Sequence, residues 1–199
     1  MEKKNEANKV EEYHKQVIVV TMNKETLEGF SGFKVSNPEL YFKEHKRAKR
    51  PPMESLWGKT RPGLIPSINK FLNCSNRTIQ NQWEQHLKSY CEYCMRVQGI
   101  KHNFIEECVI LVVTYKPTRS ESDPNNQYVK PFEDAMVERE LIKDDNYNIV
   151  KFHGETMVYC KENPRSEIRI YPITKEYDFD FAFKVMQEDV LKIHKFNKN

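Results

Sequence analysis

At 199 residues the chain is long enough to bury one hydrophobic core and short for several independent ones. Hydrophobic residues make up 38% and charged residues 31%, and the formal net charge of +3 is too small by itself to indicate a nucleic-acid partner. The mean hydropathy of −0.79, with no apolar run near the ~20 residues of a membrane span, excludes a transmembrane helix; the lysine-rich amino terminus has no signal-peptide core, so a cytoplasmic location is expected.

Residues 1–16 are charged and lack an apolar period, which predicts a disordered tail. The β-branched run 17–21 predicts a first strand. From 22 to 64 the pattern dissolves into an insert holding the most basic patch of the chain. Lys46, Arg47, Lys49 and Arg50 cluster there, with Lys59 and Arg61 close behind. Cations so arranged suit phosphate contacts, and equally a solvated loop. Residues 65–71 (Ile-Pro-Ser-Ile-Asn-Lys-Phe) form a turn-rich connector.

A long helix is predicted over about 77–97, capped by Ser75 and stopped at Gly99. Ile79, Trp83, Leu87, Tyr90 and Cys94 form its apolar stripe. Cys91 and Cys94 have metal or redox spacing, but no second pair or histidine partner accompanies them. The five scattered cysteines fit reduced thiols. Residues 107–116 are apolar almost throughout and predict a central strand covered on both faces. Later come a strand over 148–159 with a break at Gly154, a last strand over 166–173, and an amphipathic helix within 174–199.

The stretch between the central strand and the next is the richest in chemistry. It holds Glu121, Asp123, Asn125 and Asn126, then Lys130-Pro131, Asp134-Ala135-Met136, and finally Asp144-Asp145. Pro131 is acceptable in the first turn of a helix, so a regular helix is expected to start at Lys130. Carboxylates gathered around a lysine suit metal-assisted phosphodiester chemistry. Oxygen ligands hold a hard cation and an ammonium meets phosphoryl oxygens. The same residues also make a charged helix between two solvated loops.

The order of strand, acidic-Asn turn, Lys130-Pro131-x-x-Asp134-Ala135-Met136 and Asp144-Asp145 resembles the RusA family of Holliday-junction resolvases, common in prophages. Residues 65–71 are similar to that family's P-P-S-x-N-x-Y segment. The resemblance covers about 65–173. It implies an α+β fold, a small mixed sheet with helices packed on it, carrying a basic insert and a C-terminal helix. The implied organisation is a single nuclease domain over 17–173, with the amphipathic helix beyond it.

The implied activity is Mg²⁺- or Mn²⁺-dependent cleavage of Holliday junctions or other branched DNA by a homodimer. Asp123, Lys130 and Asp145 would be catalytic, with Glu121, Asp123, Asn125, Asp144 and Asp145 as candidate metal ligands. Lys46, Arg47, Lys49, Arg50, Lys59, Arg61, Arg119 and Lys130 would contact DNA. The chain departs from the family pattern in two respects. Asn125 stands where a second carboxylate belongs and a residue is inserted before Lys130; a second register pairs Glu121 with Asp123 instead. A RusA-like binding factor that has lost cleavage, serving regulation or counter-defence, is therefore the alternative. A helix running 126–140 would span roughly 20 Å, more than the ~10 Å that 141–143 recovers. On that geometry Asp123 and Asp145 of one chain struggle to share a metal unless the helix is much shorter, and antiparallel helices across a two-fold axis would bring them together.

Overall fold

The computed structural model describes residues 2–30, 63–119 and 126–196. Most of the predicted basic insert, including Lys46, Arg47, Lys49, Arg50, Lys59 and Arg61, lies outside the described residues. The elements are α1 (Glu2–His14), β1 (Ile18–Asn23), α2 (Lys24–Gly29), α3 (Ile68–Leu72), α4 (Arg77–Val97), β2 (Cys108–Lys116), α5 (Lys130–Glu138), β3 (Val150–Tyr159), β4 (Arg165–Pro172) and α6 (Phe179–Phe196). This is an α+β arrangement. The sheet is four-stranded in the order β1-β4-β2-β3, with β2 antiparallel to β4 and parallel to β3. Among the described residues no helix is long and apolar enough to cross a membrane.

Every residue of β2 is buried, because helices cover both faces of the sheet. Cys108, Ile110 and Val112 face α4 and α5 together with Val20, Met22, Ile168 and Ile170. Val109, Leu111 and Val113 face α1 and α6, alongside Tyr171 and Val158. Burying one such aliphatic side chain contributes roughly 1.5–3 kcal/mol, so these two faces supply much of the fold's stability.

The long helix has the predicted bounds, with Trp83, Leu87, Tyr90 and Cys94 buried. Its cap is Asn76 rather than Ser75: the Asn76 side chain accepts from the amides of Thr78 and Ile79, which would otherwise lack partners. It ends at Gly99 (φ 68°), whose amide bonds the Arg96 carbonyl while that of Ile100 bonds Met95.

The amino terminus differs from expectation. The predicted disordered tail contains α1, anchored by the fully buried Tyr13, whose hydroxyl donates to the Pro172 carbonyl at 2.9 Å. Val10 and Tyr13 are among the few apolar residues that pack here, too sparse to show as a period in sequence. β3 is also unbroken at Gly154, which pairs with Leu111. A Cβ there would lie 2.8 Å from the Phe152 ring.

Helix α5 is nine residues long and stops at Glu138. Glu140 adopts φ 54°, and the chain closes a Schellman turn, with the Glu140 amide on Val137 and the Leu141 amide on Met136. Glutamate in this left-handed region pays a Cβ clash that glycine avoids, partly offset by glycine's larger unfolded-state entropy. Glu140→Gly is expected to stabilise the protein by about 0.5 kcal/mol, raising Tm by roughly 1–2 °C. Glu140→Ala, which keeps the Cβ, should give no such gain in the same thermal melt.

Candidate functional site

The chain leaves β2 at Lys116 and re-enters the described structure at Asn126, close to the connector that precedes α4. The Asn126 side-chain oxygen accepts from the Ser67 hydroxyl at 3.1 Å and the Asn69 amide at 3.3 Å. The Tyr128 amide bonds the Pro66 carbonyl at 2.8 Å. The connector and the entry to α5, distant in sequence, are thus laced together.

Gln127 turns inward. It accepts from Thr114, whose hydroxyl also meets Ser166 at 2.9 Å, and it donates to Glu155 at 3.2 Å. These polar groups lie on the face of the sheet beneath α5, where buried hydroxyl and amide groups need such partners.

Lys130 is the first residue of α5, and its ammonium bridges two carboxylates. It pairs with Asp134 one turn on at 2.7 Å, and it hydrogen-bonds Asp145 from the loop before β3. Asp134 is shared with Lys88 of α4 at 3.1 Å, and Lys88 reaches Glu138 at 2.7 Å. Burial works against charge on Lys130, but Asp134 and Asp145 outweigh it and hold the ammonium protonated, above the ordinary lysine value. Burial likewise opposes charge on Asp134, yet Lys130 and Lys88 keep its carboxyl below the usual carboxylate value. With Lys130 58% exposed, its charge stays open to an incoming anion.

Asp144 and Asp145 divide two tasks. Asp144 shapes the loop, accepting from the Asp145 amide at 2.7 Å and from the Asn146 side chain at 2.6 Å. Asp145 faces Lys130. The helix is also shorter than the 126–140 span on which the expectation of a dimer rested, while Asp123, the other residue of that argument, lies outside the described residues. α5 has nine residues, and after the turn at Glu140 the chain runs back along Ile105, whose amide bonds the Leu141 carbonyl at 2.9 Å. The loop can then rise beside the first turn of α5 without a second protomer.

Of the sequence-predicted site residues, the structure brings together Lys130 and Asp145, with Asp144 adjacent. Glu121, Asp123 and Asn125 lie outside the described residues. Arg119 is stacked over the Tyr159 ring at 4.8 Å, where β2 and β3 end.

Sequence reasoning missed Lys88 as a partner of Asp134. It also missed the group formed by Glu133, His153 and Glu155. His153 Nδ1 lies 3.0 Å from Glu133 and Nε2 lies 3.9 Å from Glu155. The signal was there, since His153 and Glu155 alternate along a strand and share a face, but the expected break at Gly154 hid it.

Among the described residues no three His, Cys, Asp or Glu side chains are grouped to hold a metal. Asp144 and Asp145 are hard oxygen donors of the kind Mg²⁺ takes, so the donor chemistry fits as far as this loop extends. Cys91 and Cys94 face the core, and burial pushes the Cys94 thiol up to about 11. An open cleft of about 540 Å³ lies at the far end of α4, lined by Met95, Arg96 and Arg139, and does not include Lys130 or Asp145. Neither a family model nor a curated protein sequence matches the chain.

Proposed function

We propose that the protein is a metal-dependent, structure-specific endonuclease that cleaves Holliday junctions or other branched DNA, as its resemblance to the RusA family implies. The observation that carries this reading is the pairing of Lys130 with Asp145, fifteen residues apart, at the exposed start of α5. A protonated lysine beside a carboxylate on a rigid helix start is suited to hold a phosphodiester oxygen next to a cation.

Mg²⁺ or Mn²⁺, held by Asp145 and Asp123 with Asp144 and either Asn125 or Glu121, would supply charge neutralisation and lower the pKa of water. The protein's own part is positional. Lys130 donates to a non-bridging phosphoryl oxygen and stabilises the charge that develops there. Lys88 holds Asp134, so that Asp134 orients Lys130 while its own charge is shared. Arg119 and the cations of the basic insert contact backbone phosphates, which selects branched DNA by shape rather than base sequence. A homodimer would place two such sites on a symmetric junction.

The test is cleavage of an end-labelled four-way junction with Mg²⁺, with Mn²⁺ and with chelator. Paired nicks that require the metal, and an uncut linear duplex, are expected. Binding without cleavage in either metal would overturn the reading in favour of a factor that has lost catalysis. The neutral Asn125 at a carboxylate position favours that second reading. In that case Asn125→Asp, which restores a charged ligand of nearly the same shape, should create cleavage.

A further inference from the structure

Helix α5 is short, and the Val129 side chain does not cap it: the Phe132 and Glu133 amides turn back to the Val129 carbonyl, and Pro131 has no N–H to satisfy. The first turn, on which Lys130 stands, is tied to the sheet through its side chains. Beneath it lies the edge strand β3. His153 is in register with Ile110 and Glu155 with Val112, so both side chains point to the face that α5 covers.

Glu133, from the first turn of α5, descends to the same place. Glu133 and Glu155 are 13% and 17% exposed, and two carboxylates so withdrawn from water repel unless a cation stands between them. The His153 ring stands there, with one nitrogen toward each. Glu155 is tied in turn to Gln127, and Gln127 to Thr114 and Ser166. Lys130 therefore lies between two residues, Gln127 before it and Glu133 after it, that one polar network anchors to the sheet.

We propose that His153 is a positioning residue for the Lys130–Asp145 site: its imidazole clamps Glu133 to β3 and so fixes the first turn of α5 at the angle where Lys130 meets Asp145. The proposal rests on the nuclease reading only for its catalytic consequence. The clamp itself is a property of the fold.

Among the described residues, the titratable groups around His153 are Glu133 from α5 and Glu155 on β3 itself. From β2 the Cys108 thiol, pushed up to about 12 by burial and by Glu133, is neutral. Lys151, two residues before His153, is paired with Glu107. Burial opposes charge on His153, but Glu133 and then Glu155 outweigh it and hold the ring above the ordinary histidine value. The folded protein therefore keeps this proton where the unfolded chain has lost it. The stabilisation is complete below the unfolded-state pKa and is lost as pH rises through the folded-state one. The clamp closes on the acid side and loosens on the alkaline side.

The experiment compares the parent with His153→Gln, and with Glu133→Gln in case the first variant folds poorly. The parent-to-variant ratio of kcat for junction cleavage should be about tenfold near pH 6 and fall toward unity by about pH 9, with KM little changed. A ratio of one throughout, or one that does not move with pH, overturns the proposal, because a packing role has no pH dependence. Amide exchange at Phe132 and Glu133, compared at equal pH, separates the clamp from the enzyme reading. Should the parent cut no junction, faster exchange confined to this turn in the variants still upholds the clamp, and unchanged exchange overturns it.

Discussion

Lys130→Ala is expected to abolish junction cleavage, lowering kcat by about a thousandfold, while the protein stays folded. The physical reason for the separation is exposure. Lys130 is 58% exposed, and its pairs with Asp134 and Asp145 are open to solvent screening, so their loss should cost less than about 1 kcal/mol. Asp134 keeps Lys88 at 3.1 Å and is not stranded without a cation. On the nuclease reading the phosphoryl group, by contrast, loses the donor that stabilises the charge developing on its oxygen. Lys130→Arg should recover only part of the rate, since a planar fork does not place its charge where a point charge stood. Circular dichroism melts beside single-turnover cleavage measure both quantities. A variant with parental rates would remove Lys130 from the catalytic group.

Glu167→Ala is expected to cost about 3 kcal/mol, a fall in Tm of roughly 6–12 °C. Glu167 sits on β4 beneath α6 with its side chain 8% exposed. It accepts from Arg165 Nε at 2.6 Å, and from Arg169 Nε at 2.9 Å and Nη2 at 2.6 Å. Arg165 is also stacked over the Tyr115 ring at 3.6 Å. Removing the carboxylate leaves two largely buried guanidiniums, with Asp189, 3.7 Å from Arg169, as the remaining acid near them among the described residues. Breaking such a group is costly because the stranded charges cannot return to water without disturbing the strand. Glu167→Gln, which keeps the shape and some hydrogen bonding, should cost less. Urea unfolding with matched slopes would check both variants. A loss below about 1 kcal/mol for the alanine variant would mean that water reaches the arginines freely.

Glu167 also shows how sequence and structure divide the information. The pattern Glu167-Ile168-Arg169-Ile170 alternates, and alternation reads as one buried and one solvated face. Ile168 and Ile170 are indeed fully buried. The other face is covered as well, by α1 and α6, so the charged residues become an internal ion-pair group rather than a wet surface. Nothing within β4 could have announced this, because the cover is supplied by the two ends of the chain.

What the sequence determined by itself was local. The apolar stripe and Gly99 set the length of α4, the unbroken apolar run made β2 central, and Pro131 placed the start of α5 at Lys130. Each of these depends on preferences expressed within a few residues, which a short window of sequence contains. Tertiary structure alone decided that Asp145 meets Lys130 within one chain and that His153 stands between Glu133 and Glu155. The first depends on a reversal at Glu140, a left-handed turn built on a residue that does not signal one. The second depends on the register of an edge strand under a helix. Contacts of that kind are fixed by where the packed elements come to rest, and only the folded chain brings them together.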